Sequence, residues 1–315
     1  MAAKRTRRQR QRVSARNGQP RRMCGAMCVH HRLLETDPSF RTRQVRLEQS
    51  TSRRRSAADN LKAASLVTIP VVVHVVYKTA EQKISAKQVA SQIRVLNRDF
   101  QAKNRDRVNA PAAWKGLVTD ARIRFRLAKK APDGSKTPGI TYTQTGRTSF
   151  TDDDAMKFTA QGGIDIWNPK KYLNIWVCNL QPYLGYAQFP GGPARTDGVV
   201  ILFTAFGTTG AARAPFDLGR TSTHEVGHWL NLRHIWADTE DCGGSDFVAD
   251  TPNSEGPNYG KPTFPRVTCN NGPNGDMFVN YMDYVDDDTM VMFTAQQVVR
   301  MRTALEAARA DLGTR

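Results

Sequence analysis

Residues 224–234 read HEVGHWLNLRH, and the reading of this stretch decides how the rest of the chain is understood. The six histidines stand at 30, 31, 74, 224, 228 and 234, so half of them fall within these eleven residues. His224 and His228 are four apart, which on a helix places both imidazoles on one face and lets them reach a single ion. Glu225 follows the first imidazole and projects beside that ion. An unbroken helix would carry His234 to the wrong side, so the spacing predicts a sharp turn at Asn231. Three imidazoles and one water make an open tetrahedral zinc site, the catalytic rather than the closed structural arrangement. Zinc lowers the pKa of a bound water to about 7, and Glu225 is then placed to act as the general base that takes its proton. The alternative is an amphipathic helix with incidental histidines, which His234 argues against.

Further along, residues 280–284 read NYMDY, with Met282 48 residues beyond His234. HEVGHWLNLRH is similar to the zinc signature HExxHxxGxxH of the metzincin metalloproteases, and NYMDY resembles the methionine turn of their pappalysin family. The similarity runs from about Thr68 to the C-terminus. It implies an α/β, metzincin-like zincin fold: a twisted mixed sheet with backing and active-site helices, plus an irregular C-terminal subdomain. It also implies a zinc-dependent endopeptidase, with Met282 beneath the metal and Tyr284 close enough to help hold the tetrahedral intermediate. Asn231 stands where the clan has glycine. That glycine supplies the left-handed backbone that ends the helix, and Asn tolerates it best among other residues, so a positive φ is expected at Asn231.

Charge is distributed unevenly. Residues 1–60 carry sixteen Lys and Arg against four Asp and Glu, a net of +12 out of +17 for the whole chain. The run KRTRRQRQR, residues 4–12, reads as a disordered, solvated arm able to touch nucleic acid or anionic membranes nonspecifically. No helix-turn-helix, RNP or zinc-finger pattern supports specific nucleic-acid binding. Residues 1–55 are read as a basic, partly disordered prosegment ending at Arg53-Arg54-Arg55, an exposed cleavage site. Residues 56–315 form the catalytic domain, with an N-terminal subdomain over 68–231 and a C-terminal one over 232–315. Within the prosegment, RRMCGAMC places Cys24 two residues after Arg22, loosely like the cysteine switch that silences related zymogens by donating a thiolate to zinc. A Cys24–Cys28 disulfide, or two idle thiols, is the competing reading.

TIPVVVHVVY, residues 68–77, is too short to span a bilayer and reads as a buried strand, so no membrane span is expected. SAKQVASQIRVLNRDFQ, 85–101, places Val89, Ile93, Leu96 and Phe100 at helical spacing, a backing helix. IRFRLAKK at 123–130, YLNIWVCNL at 172–180 and DGVVILFTAFG at 197–207 read as strands, and DGS at 133–135 as a turn. In metzincins the strand just before the zinc helix is an edge that pairs with extended substrate. YLGYAQFPGG, 183–192, is placed along that cleft, and its GYAQFP also occurs in relatives.

Residues 235–279 are rich in Gly, Pro, Asn and Asp and need tethers; Cys242 and Cys269 could supply one, and the resemblance suggests that pairing too. Cys178, in an apolar strand, reads as a buried free thiol. Asp246 and Thr251 match a calcium site of the family, against the alternative of an Asp-capped turn. Asp287 matches the family carboxylate at the floor of the S1′ pocket, which implies preference for Arg or Lys after the scissile bond; a solvated acidic loop is the alternative.

Taken together these readings predict a monomeric enzyme acting on protein or peptide substrates, made as a latent precursor, with zinc as catalytic metal and calcium as a structural candidate. The resemblance implies secretion, although no apolar signal segment follows the basic start. Two rivals remain: an inactive metzincin-fold binding protein, and a basic nucleic-acid-associated protein working through its tail.

Overall fold

The computed structural model describes residues 21–54 and 65–313. The basic run 4–12, Arg55 and the junction after it lie outside the described residues.

Val67–Tyr77 forms strand β1, whose near-continuous Val and Ile content suits a strand covered on both faces. Its neighbours are β2 (Ile123–Leu127) and β3 (Ile140–Gln144), which pair in parallel with its first and second halves, and β4 (Leu173–Cys178) on the other side. Beyond β4 come β6 (Val199–Leu202), parallel, and the antiparallel edge strand β5 (Gly185–Ala187). The sheet order is β2-β1-β4-β6-β5, with β3 on β1, so the sheet is mixed as expected.

One expectation needs correcting. The strand nearest before the zinc-motif helix, β6, is interior, hydrogen-bonded on both sides; the free edge is β5, within 183–192. The chain runs to the edge first and returns inward, so proximity in sequence to the motif misassigns the edge.

Helix α3 (Ala86–Asp99) backs the sheet. Ser85 caps it by accepting from the Gln88 amide at 3.2 Å, and Val89, Ile93, Leu96 and Phe100 are buried against β2. Its buried Gln88 and Gln92 brace the loop that leads to the motif: Gln88 donates to the carbonyls of Phe203 and Phe206, and Gln92 accepts from Gly207 and donates to Gly219. The short α4 (Ala112–Lys115) and helix α5 (Arg220–Trp229) follow; the C-terminal part is irregular, apart from the β7–β8 pair (Tyr259–Gly260, Tyr284–Val285) and α6 (Ala295–Ala307). Cys242 and Cys269 form a disulfide that ties this part together.

Residues 21–54, within the expected prosegment, include α1 (Ala26–Thr36) and α2 (Pro38–Arg54), packed on the catalytic body with Ala26, Met27, Val29, His30, Phe40 and Leu47 buried. Sparse apolar residues among many arginines hid two stripes that are stable only because they have a surface to lie on. No helix among the described residues is long and apolar enough to cross a membrane.

Candidate metal centre and its occluded cleft

Helix α5 carries His224, Glu225 and His228 and ends at Trp229. The chain closes it with a left-handed residue: Asn231 has φ 74°, its amide donates to the His228 carbonyl at 2.9 Å, and the Leu232 amide donates to the Gly227 carbonyl at 2.9 Å. These two bonds are a Schellman closure, which redirects the chain so that His234 swings back toward the helix. The three Nε2 atoms then lie 3.1–3.2 Å from one another.

The partners of the opposite ring nitrogens decide what this cluster can hold. His224 Nδ1 lies 2.7 Å from the Tyr281 carbonyl, His228 Nδ1 2.8 Å from the Leu232 carbonyl, and His234 Nδ1 2.5 Å from Asp238 Oδ1. Each partner only accepts, so each Nδ1 carries the proton and each Nε2 presents a lone pair. Burial, reinforced by neighbouring imidazoles, holds His224 and His228 well below the usual histidine range, hence neutral. Three lone pairs converging on one point repel unless a cation lies between them. Their spacing is close to the ~3.3 Å edge of a tetrahedron with arms of about 2.0 Å, so the residues fit a zinc ion.

The NYMDY segment supports this cluster residue by residue. Asn280 exchanges hydrogen bonds with Gln297 on α6. Tyr281 offers its carbonyl to His224 and its hydroxyl to Arg220. Met282 is fully buried beneath the helix: a Cβ at Gly227 would meet its Sδ at 2.5 Å, which explains the glycine inside the motif. Asp283 binds Asn258. Tyr284 places its ring 4.9 Å from that of His234.

Two supports escaped the sequence reading. Trp236 stacks on His234 at 4.2 Å, nearly parallel, and Asp238 fixes its tautomer. Burial works against ionisation of Asp238, but the His234 ring outweighs it and keeps the carboxyl below its usual range. An Asp four residues after the last ligand was the available signal.

Cys24 completes the cluster. Its Sγ and the three imidazole nitrogens all lie within 4.8 Å of one another, the only such group of His, Cys, Asp and Glu among the described residues. Cys24 and Cys28 are both free thiols, which removes the disulfide alternative in this state. Cys24 Sγ also contacts Glu225 Oε2 at 3.4 Å and accepts from the Ala26 amide at 3.3 Å. Burial, then the Glu225 charge, pushes the thiol up, whereas a bound divalent cation acts in the opposite direction. Burial likewise lifts Glu225 to about 8, opposed by the Cys24 hydrogen bond and Arg22. Glu225 lies flat against the edge strand because Gly185 has no side chain: a Cβ there would meet Glu225 Cγ at 2.7 Å.

Residues 22–25 run along that edge. Leu184 N donates to Met23 O and Gly25 N to Gly185 O, both at 2.9 Å, and the pairing is parallel. Tyr284 Oη accepts from the Cys24 amide at 3.2 Å. Arg22 enters a pocket, donating to Asp287 Oδ1 at 2.5 Å, Thr221 Oγ1 at 3.0 Å and Val285 O at 3.3 Å, with its guanidinium over the Phe216 ring. Asp287 is fully buried, not solvated; its Oδ2 accepts the amides of Leu218 and Arg220, which leaves Oδ1 for the guanidinium. Arg22 as occupant was not foreseen.

Asp246 and Thr251 meet elsewhere, with Thr251 Oγ1 donating to Asp246 Oδ2 at 2.7 Å and the Val248 amide to Oδ1 at 3.0 Å. That is the hydrogen-bonding of an Asp-capped turn. Burial lifts this carboxyl to about 7, against the pull of those two hydrogen bonds.

A profile of the Peptidase M43 family, described as pregnancy-associated plasma protein-A, matches residues 158–306. An extracellular metalloprotease of Colletotrichum graminicola is 32% identical over 261 residues, 79% of this chain and 80% of its own length. Among solved structures, a Tannerella forsythia promirolysin mutant superposes with TM-score 0.83 at 44% identity, over 92% of this chain and 96% of that one. Mature mirolysin of the same bacterium in complex with a cleaved peptide gives TM-score 0.76 and 48% identity, over 80% of this chain and all of that one.

Proposed function

Because this chain belongs to the M43 pappalysin family of metalloendopeptidases, we propose that it is a zinc endopeptidase held latent by residues 21–54, with Glu225 as general base and Arg or Lys preferred after the scissile bond. The observation that carries the reading is the single strand Arg22–Gly25, which fills the Asp287 pocket and caps the three imidazoles at once. The promirolysin likeness, which extends over more of this chain than the mature form does, supports latency.

Zinc held by His224, His228 and His234 would acidify a water and polarise the scissile carbonyl. Glu225, beside the cluster, receives the proton of the attacking water and hands it to the leaving amine. Tyr284, whose hydroxyl now holds the Cys24 amide, is free once the plug leaves to donate to the oxygen that gains charge. Edge strand β5 supplies backbone groups for an extended substrate. Asp287, with one oxygen pinned by two amides, presents the other to an incoming guanidinium.

The direction of the plug explains its resistance. A substrate with arginine after the scissile bond passes, from N to C, from the metal to the Asp287 pocket. The plug passes the other way, from Arg22 in the pocket to Cys24 at the metal, and presents a sulfur where a substrate presents a carbonyl. A substrate therefore pairs antiparallel to β5, opposite to the parallel plug.

Secretion is part of this reading, supported by relatives named as extracellular. The test is hydrolysis of a quenched peptide containing arginine by the processed chain, with and without o-phenanthroline, beside Glu225→Ala. Cleavage that survives chelation, or a Glu225→Ala enzyme as fast as wild type, defeats the proposal.

A further inference from the structure

Helix α2 sits apart from the plug, on α6 and the loop after β5. Its buried residues Phe40, Gln44, Leu47 and Thr51 follow at intervals of four, three and four, one stripe of a helix. Polar contacts fasten the stripe: Gln44 Nε2 donates to Pro190 O at 2.5 Å, Arg43 Nε to Gly191 O at 2.5 Å, and Arg54 pairs with Glu306. α2 contains five arginines and a single acid, Glu48. That acid takes both terminal nitrogens of Arg300, whose side chain is 1% exposed. Arg300 Nε in turn donates to Asn231 O at 2.5 Å, and Asn231 Nδ2 lies 3.4 Å from Glu48 Oε1. The prosegment thus holds the turn between the second and third imidazoles from outside, independently of Cys24.

We infer that the face made by Pro190, Gly191, Arg300 and Glu306 is a separate docking surface for the prosegment helix, and that it retains residues 21–54 as a noncovalent inhibitor after the chain is cut at Arg53–Arg55. The inference rests on the reading of residues 21–54 as the silencing segment of a peptidase. Its physical ground is position. The tribasic site begins at the last residues of α2, beyond the Arg43, Gln44 and Glu48 anchors, so a cut there removes none of those three. It only turns an intramolecular complex into an intermolecular one. Plug and helix lie on one 34-residue segment, so each keeps the other at high local concentration. Processing and activation are then separate events, and a prosegment shed by one copy silences another. Release needs dilution or a second cut within 21–54.

The experiment places one recognition site for a plant-virus protease after Ser56 of the full chain carrying Glu225→Ala, so that a single bond is cut and nothing self-digests. After cutting at about 1 µM, size exclusion should show the prosegment eluting with the catalytic body. Glu48→Ala should raise the concentration of half-retention at least about tenfold, because it leaves Arg300 unpaired in a largely buried site. Glu48→Gln should fall between, and Val45→Ala, on the exposed face, should match wild type. Melting curves before cutting verify that each variant is folded. Immediate separation of the wild-type segment, or Glu48→Ala and Gln44→Ala retained as tightly as wild type, overturns the inference. With Glu225 intact, the cut chain should stay silent until diluted. Hydrolysis appearing at once upon cutting refutes the docking surface alone, whereas a prosegment that leaves on dilution without any hydrolysis refutes the peptidase reading and spares the surface.

Discussion

Replacing Arg22 by alanine tests the occluded pocket most directly. The Arg22 and Asp287 side chains are 1% and 0% exposed, and Arg22 also donates to Thr221 and Val285. Removing one partner of a buried ion pair typically costs about 3–5 kcal/mol, because the other charge stays buried without compensation. Here Asp287 keeps the amides of Leu218 and Arg220, so the low end applies, about 3 kcal/mol. The loss falls only on the docked state, since water reaches Asp287 once the plug leaves. A shift of that size moves the closed-to-open equilibrium about 10²-fold. The assay is the initial rate of uncut precursor on a quenched peptide with arginine after the scissile bond, at nanomolar enzyme and beside Cys24→Ala. Background hydrolysis should rise about 10²-fold or until full activity is reached, and Arg22→Lys should rise less, because lysine keeps the charge without the fork. An Arg22→Ala precursor as silent as wild type would refute the claim that this pair holds the plug.

Asp287→Ala should lower the kcat/KM ratio of arginine to norleucine peptides about 10²-fold and should also make the precursor leaky; selectivity that persists removes Asp287 from the pocket's role. Converting Cys242 and Cys269 to alanine should cost about 3–4 kcal/mol in urea unfolding; an unchanged midpoint would mean the bridge constrains little. Burial lifts Asp99 to about 6 against Arg220 and Thr223. A carboxyl raised in the fold stabilises fully below its unfolded pKa and loses that contribution as pH climbs through the folded value, so the deficit of Asp99→Asn should shrink between pH 4.5 and 7, with chelator present throughout. A deficit that grows over that range contradicts the assignment. If Asp246 and Thr251 hold calcium, millimolar calcium should raise the melting temperature of wild type but not of Asp246→Ala; equal behaviour leaves only an Asp-capped turn.

The candidate metal ligands were legible because their chemistry is written in local spacing: four residues for one helical face, six with an Asn between for a return. The buried strands were legible for a similar reason, since TIPVVVHVVY is apolar but for Thr68 and His74 and lies in β1. What sequence could not supply was long-range pairing. Asp287 and Arg22 are 265 residues apart, and nothing local to either points to the other. The edge position of β5 depends on the order of five other strands. Helices α1 and α2 were not foreseen within the prosegment because their stability comes from the surface beneath them, and Trp236 acts through a stacking geometry that no periodicity encodes.

On the proposed reading latency and selectivity share one carboxylate, Asp287, and that sharing constrains both. Three acceptors, Asp287 Oδ1, Thr221 Oγ1 and the Val285 carbonyl, hold the Arg22 guanidinium, and on the proposed reading they would hold a substrate arginine arriving from the other direction equally well, because the pocket reads the guanidinium and not the direction of the backbone. Direction is read one step away. With its arginine seated, a forward chain would bring a carbonyl to the three imidazoles, while the reversed chain brings the Cys24 sulfur and lays Gly25 against Gly185. A cysteine-bearing strand with any other residue at position 22 would have to bind the metal alone, and a reversed arginine without the cysteine would leave the water site open. On that reading the Arg-x-Cys spacing carries the inhibition: it would convert the proposed preference for arginine into an anchor and hold it in the one orientation that hydrolysis cannot use.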